Sequence, residues 1–167
     1  MNSSPQIILL TGTPGVGKTT VAALLHQKGF QVLSLNDFII SDGLYFGFDY
    51  IRESVIIDEE IVQKKLLNLF STISGYLIIE SHAAEIVPAE FVHHIIILRC
   101  APKILRARLE QFRKYSKAKI NENIQAEIME ECLIATQEIF PAEKIIQIDS
   151  SSSSPDEIAE KIISIIS

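Results

Sequence analysis

The chain is short of cysteine, arginine, net positive charge and long apolar runs, and each shortage removes a class of protein. Its two cysteines, Cys100 and Cys132, lie far apart without CxxC or histidine ligand spacing, so neither a zinc ribbon nor a disulfide framework is written here. A formal charge of -6 argues against a sequence-blind nucleic-acid binder, which needs a broad Lys/Arg face to neutralise phosphates. No apolar run reaches the ~18 residues of a membrane span. Met1-Asn2-Ser3-Ser4-Pro5 leads straight into an apolar segment with no basic targeting region, so a cytoplasmic protein is expected, nuclear as well in a eukaryote.

What is present is a core. The 167 residues are 47% hydrophobic and 22% charged, and about one in six is isoleucine, which suits buried strands and isoleucine-faced helices. No internal repeat or domain boundary interrupts them, so residues 1–167 are expected to form one domain.

The order of segments points to an α/β sandwich. Gln6 to Thr11, Gln31 to Leu35, Tyr76 to Ile79, His94 to Leu98 and Ile145 to Ile148 are short apolar runs without alternation, the pattern of strands buried on both faces. Helical patterns lie between them: Gly17 to Lys28, Asp58 to Ile73, Pro102 to Glu110 and one long helix from Asn121 to Ile139. Ser154-Pro155-Asp156-Glu157 combines an N-cap, a proline at N1 and a glutamate at N3, and starts a C-terminal helix. This alternation predicts a three-layer domain with a mostly parallel sheet. Two segments lack clear periodicity. Residues 36–57, rich in aromatics and acids, are expected to form a small flap, and the basic stretch at 111–120 a short lid.

Gly12-Thr13-Pro14-Gly15-Val16-Gly17-Lys18-Thr19, followed by Thr20, is a full GxxxxGKT between a buried strand and a helix, the context a phosphate-binding loop requires. Its glycines let backbone N–H groups turn towards a phosphate and the helix N-terminus adds its positive end. Lys18 would reach the β/γ oxygens, and the Thr19 hydroxyl would ligate Mg²⁺. The loop specifies a nucleoside triphosphate but not the reaction. A guanine-reading NKxD and a DxxG are both lacking, which argues against a switch GTPase. The DxD and glycine triplet of shikimate-type kinases are lacking as well.

The chain resembles the small nuclear and archaeal adenylate kinases of the isoenzyme-six type, which double as ribosome-assembly ATPases. The likeness rests on residues 11–20, on Leu44-Tyr45 with Asp49 and Ile57-Asp58-Glu59-Glu60, and on Glu80-Ser81-His82 with Pro88 and Phe91. It continues through Arg108-Leu109-Glu110 and Asn123-Ile124-Gln125-x-Glu127-Ile128. It implies a P-loop nucleoside-monophosphate-kinase fold with five parallel strands in the order 2-3-1-4-5. The implied activities are γ-phosphoryl transfer from ATP to AMP and a slower ATP hydrolysis, with Mg²⁺ bound alongside the ATP. A small-subunit ribosomal protein or pre-ribosomal particle is the implied partner, and a monomer is expected.

The same resemblance distributes roles. Glu80 and His82 match the family's Asp-x-His, in which the acid orients Mg²⁺ or its water and the histidine supports hydrolysis; glutamate here replaces aspartate. Arg108 and Arg113 match a basic pair at the lid, with Lys114 as the alternative to Arg113. Ile40 stands where some members carry an arginine in the AMP flap, and Arg52 could substitute for it. From position alone, at the carboxyl end of the second strand, Asn36 and Asp37 are candidates for the acceptor site. Arg99 could reach a nucleotide or pair with an acid; Lys117 and Lys119 could add diffuse charge over the phosphates, but read more readily as solvated lid charges.

Overall fold

A computed structural model describes residues 4–52, 54–112 and 114–167. Its central strand, β1 (Gln6–Thr11), explains the unalternating run: Ile7 and Leu9 enter one helical layer, Ile8 and Leu10 the other, and all four are fully buried. β1 is flanked by β5 (Tyr76–Glu80) and β6 (Val92–Arg99); β2 (Gln31–Ser34) and β7 (Ile145–Asp149) are the edges. All pairings in this five-stranded sheet are parallel. Counting only its strands, the order is 2-3-1-4-5, as the resemblance implied.

One face of the sheet is covered by α1 (Lys18–Gln27), α4 (Pro102–Phe112), α5 (Lys117–Ile128) and α7 (Pro155–Ile166). Val21 and Leu25, Leu105 and Leu109, Ile120 and Ile124, and Ile158 and Ile162 are the side chains they bury. The other face receives α2 (Leu35–Ser41), α3 (Glu59–Phe70) and α6 (Glu131–Ile139) through Leu35 and Ile39, Val62, Leu66 and Phe70, and Leu133. The Ser154 capping box forms as expected: its hydroxyl accepts from the Glu157 N–H, and the Glu157 carboxylate accepts from the Ser154 N–H.

The structure differs from the sequence expectation in three places. The helix expected over 121–139 is two helices, separated at Glu130, which adopts a left-handed conformation (φ 56°) and restarts the chain in a new direction. That conformation is costly for a residue with a Cβ, and Arg99 holds it by donating to the Glu130 carboxylate at 3.1 Å. The aperiodic flap is ordered: α2 grows directly from β2, and a hairpin follows, β3 (Tyr45–Asp49) against β4 (Ser54–Ile57). The expected lid is mostly helix ends, since Gln111 and Phe112 close α4 and residues from Lys117 onward open α5.

Candidate active site

The site lies along the carboxyl ends of the parallel strands, where open α/β sheets bind ligands. Gly12, Gly15 and Gly17 have φ of 143°, 93° and 107°, conformations that side chains resist. Gly12 is also sterically obligatory, because a Cβ there would lie 2.5 Å from the Leu98 carbonyl oxygen. The loop opens α1 without a side-chain cap and without an acid in the first turn, so that helix end keeps its positive potential for an anion. The Lys18 ammonium is folded back on the loop, donating to the carbonyls of Gly12 at 2.6 Å and Thr13 at 3.1 Å.

Next to this loop, the last residue of β5 projects towards the first turn of α1: Thr19 donates to the Glu80 carboxylate at 3.2 Å. His82 follows two residues later at the mouth of the cleft, with one side open to water. Removal of bulk solvent on its other sides, then the ammonium groups of Lys18 and Lys119, lowers its pKa from 6.5 to about 4. The open side limits the desolvation. The property that matters is the direction, which leaves a neutral imidazole at physiological pH.

Lys119, expected to be a solvated lid charge, is instead inside the cleft. From the first turn of α5 its ammonium donates to the Arg52 carbonyl at 2.7 Å, joining the lid helix to the tip of the flap hairpin. That tip is folded by Asp49, whose carboxylate accepts from the N–H groups of Ile51 and Arg52 at 2.9 and 3.0 Å. The Arg52 N–H is the largest influence holding the Asp49 carboxyl below its usual range, with Lys119 a smaller one. The missed signal was sequence spacing: Lys119, Asn123 and Glu127 recur every four residues and share one helix face.

Glu127 anchors that face to the phosphate loop. Its buried carboxylate accepts from the Thr13 hydroxyl at 2.6 Å, the Arg99 guanidinium at 3.0 Å and the Cys100 N–H at 3.0 Å. Arg99 is therefore an acid-paired strand-end residue, the second of its two readings. Arg108 donates to the carbonyls of Val16 and Ser150, at 3.2 and 2.8 Å, tying the loop to the segment after β7. It borders a cavity of about 310 Å³, large enough for a nucleoside, between Gly15, Phe112, Ser153 and Ile158.

The remaining candidates separate. Asn36 and Asp37 sit exposed in the first turn of α2 at the end of β2, with the Asp37 N–H capped by the Ser34 hydroxyl. The Arg52 side chain is 78% exposed and lies 3.9 Å from Asp49. Ile40 and Lys114 are exposed, and Arg113 lies outside the described residues. No cluster of three or more His, Cys, Asp or Glu side chains able to hold a metal occurs among the described residues. Among them, too, no helix is long and apolar enough to cross a membrane.

Known proteins place this arrangement. The model of a family described as AAA domain matches residues 8–130. A protein of Methanothermobacter thermautotrophicus named "Putative adenylate kinase" is 35% identical over 160 residues, covering 96% of this chain and 89% of its own. A Pyrococcus abyssi protein of the same name is 37% identical over 163 residues, covering 96% and 83%. Among solved structures, Candida albicans thymidylate kinase superposes with a TM-score of 0.62 at 12% identity, covering 98% of this chain and 91% of that one. TT1252 from Thermus thermophilus gives 0.62 at 16% identity, covering 99% and 100%. These structural likenesses establish the fold, an α/β P-loop architecture. By the family match and by its archaeal relatives together, the chain belongs to this AAA domain family.

Proposed function

We propose that the protein is an adenylate kinase, transferring the γ-phosphoryl group of ATP to AMP and hydrolysing ATP more slowly. The observation that carries this reading is the Lys119 contact, in which α5, tied to the phosphate loop through Glu127, also reaches the tip of a separate flap. A protein that only binds or hydrolyses a triphosphate has no need of a second wall; a two-substrate phosphotransferase does, because it must hold an acceptor in line and exclude water. The archaeal relatives' names support the acceptor assignment.

ATP would lie with its phosphates on residues 12–20 and its nucleoside in the cavity beside Arg108. AMP would lie between Asn36, Asp37, Arg52 and the hairpin. An oxygen of the AMP phosphate attacks the γ-phosphorus, the bond from that phosphorus to the β,γ-bridging oxygen breaks, and two ADP molecules result. A monophosphate is already ionised at neutral pH, so the protein needs no general base, only positioning and charge neutralisation. Lys18 supplies the central positive charge on leaving its loop carbonyls, and Arg113 is the proposed second cation, from the lid.

Mg²⁺ fits here. Thr19 and Glu80 present hard oxygen donors 3.2 Å apart beside the helix N-terminus, and Mg²⁺ takes few protein ligands plus phosphate oxygens and water. When bound, the ion would neutralise charge on the β- and γ-phosphates. Glutamate in place of aspartate lengthens the acidic arm by one methylene, which lets it reach the Thr19 hydroxyl directly.

A second reading, an assembly ATPase whose nucleotide state controls a small-subunit ribosomal protein or pre-ribosomal particle, draws support from the flap's outer edge. Phe46, Tyr50 and Ile51 are 75%, 85% and 94% exposed there, more apolar surface than a base-covering flap needs. Turnover with Mg–ATP alone and with AMP, dAMP, CMP, UMP or GMP separates the readings. The kinase reading expects ADP formation that depends on AMP; phosphate release indifferent to every monophosphate would favour the ATPase.

A further inference from the structure

The strongest feature outside the roles assigned so far is Asn123. The residue is 5% exposed, yet its amide nitrogen has no hydrogen-bond partner among the described residues. Leaving a buried donor unpaired sacrifices stability, so such a group in a native structure is paired by a water, an ion or a ligand, or serves a catalytic role. Its location on α5 says which ligand. Four-residue steps turn a helix by roughly 40°, so Asn123 lies between Lys119 on one side and Glu127 on the other. Lys119 reaches the flap tip and acts electrostatically on His82. Glu127 holds the Thr13 hydroxyl of the phosphate loop. The apolar residues of α5, Ile120 and Ile124, turn instead into the core. Asn123 thus stands on α5 between the residue that holds the phosphate loop and the residue that reaches the flap.

We propose that Asn123 is a phosphate-binding residue: its amide donates to an oxygen of the transferring phosphoryl group, and α5 is the rigid arm that holds it there. This rests on the phosphotransferase reading for which oxygen is bound, and on geometry alone for the presence of a phosphate. A neutral donor suits that position, because Lys18 and Lys119 already supply charge and a third buried cation would oppose them. Glu127, one turn further on and clamped by three donors, fixes the helix so that the amide cannot drift from the loop.

The test uses Asn123→Leu, which keeps the branching and heavy-atom count without a donor, and Asn123→Asp, which puts a carboxylate beside the phosphate. Turnover, affinity for ADP alone, affinity for ADP with aluminium fluoride as a planar phosphoryl mimic, and nucleotide-free melting are measured for each. For Asn123→Leu we expect kcat to fall about 10²-fold, KM for both nucleotides to change by less than about 3-fold, and the mimic's advantage over ADP to be lost. Its melting temperature without nucleotide should equal or exceed the parent's, since an unpaired buried donor has been removed. Asn123→Asp should fall further in kcat. Wild-type kcat in Asn123→Leu, or a loss shared equally by ADP, its mimic and the nucleotide-free melting temperature, would overturn the proposal, as would an active Asn123→Asp. If the parent shows no AMP-dependent turnover, the kinase reading fails alone, and the ADP-mimic comparison still decides whether Asn123 binds a phosphoryl group.

Discussion

At the scale of single residues, the site depends on which groups are held charged and which neutral. His82 is held neutral: its pKa near 4 lies below the 6.5 of a free imidazole. Between those values the unfolded chain binds more proton than the folded one, so stability rises with pH through that window and this contribution is level above it. Proton NMR should show one histidine ring, missing in His82→Gln, titrating near 4; a value near 6.5 would mean that neither burial nor the Lys18 and Lys119 charges act on it. A neutral imidazole can accept a proton from water but adds no charge to a phosphate. His82→Gln should therefore lower ATP hydrolysis more than AMP-dependent turnover. Glu127 is the opposite case, a buried carboxylate held by three donors. Removing it in Glu127→Ala leaves the Arg99 guanidinium largely buried with Glu130 as its one acidic partner among the described residues. The expected cost is roughly 2–4 kcal/mol in denaturant unfolding, and an unchanged unfolding midpoint would contradict the network.

At the scale of elements, α5 and the β3–β4 hairpin meet through one ammonium and one carbonyl, and the hairpin tip is shaped by Asp49. Asp49→Ala should loosen that turn and withdraw the Arg52 carbonyl from Lys119. The KM for the monophosphate should then rise several-fold while the KM for ATP holds, a split that steady-state kinetics with each substrate varied would show. The same elements mark where sequence reading succeeded and where it stopped. The buried strands were legible because parallel strands carry apolar side chains on both faces, and Ile7 to Leu10 leave no other reading. The phosphate loop was legible because its glycines and Lys18 are local chemistry. The hairpin was not, because Phe46 and Phe48 stand exposed where an apolar-in, polar-out alternation was sought. The break at Glu130 was hidden because no glycine or proline marks it; Arg99, 31 residues away, holds that turn. Lys119 was read as a lid charge and Glu127 was given no role for a related reason: their partners, Arg52 and Thr13, are distant in sequence and meet them only once the sheet is assembled.

At the scale of the whole molecule, the sheet gathers the ends of five strands and leaves α5 to link loop and flap. Thr13 holds Glu127, Glu127 fixes α5, and Lys119 on α5 reaches the hairpin, so one helix connects the phosphate loop to the flap. The central claim is that this frame carries a phosphoryl group from one nucleotide to another and does not simply release it to water. The most direct measurement is a single turnover with γ-labelled ATP and AMP, following whether the label appears in ADP or in inorganic phosphate, with Lys18→Ala as control. The account predicts label in ADP whenever AMP is present, slow release to phosphate in its absence, and a loss of about 10³-fold in both for Lys18→Ala. Label appearing only in phosphate, at a rate AMP does not change, would contradict it.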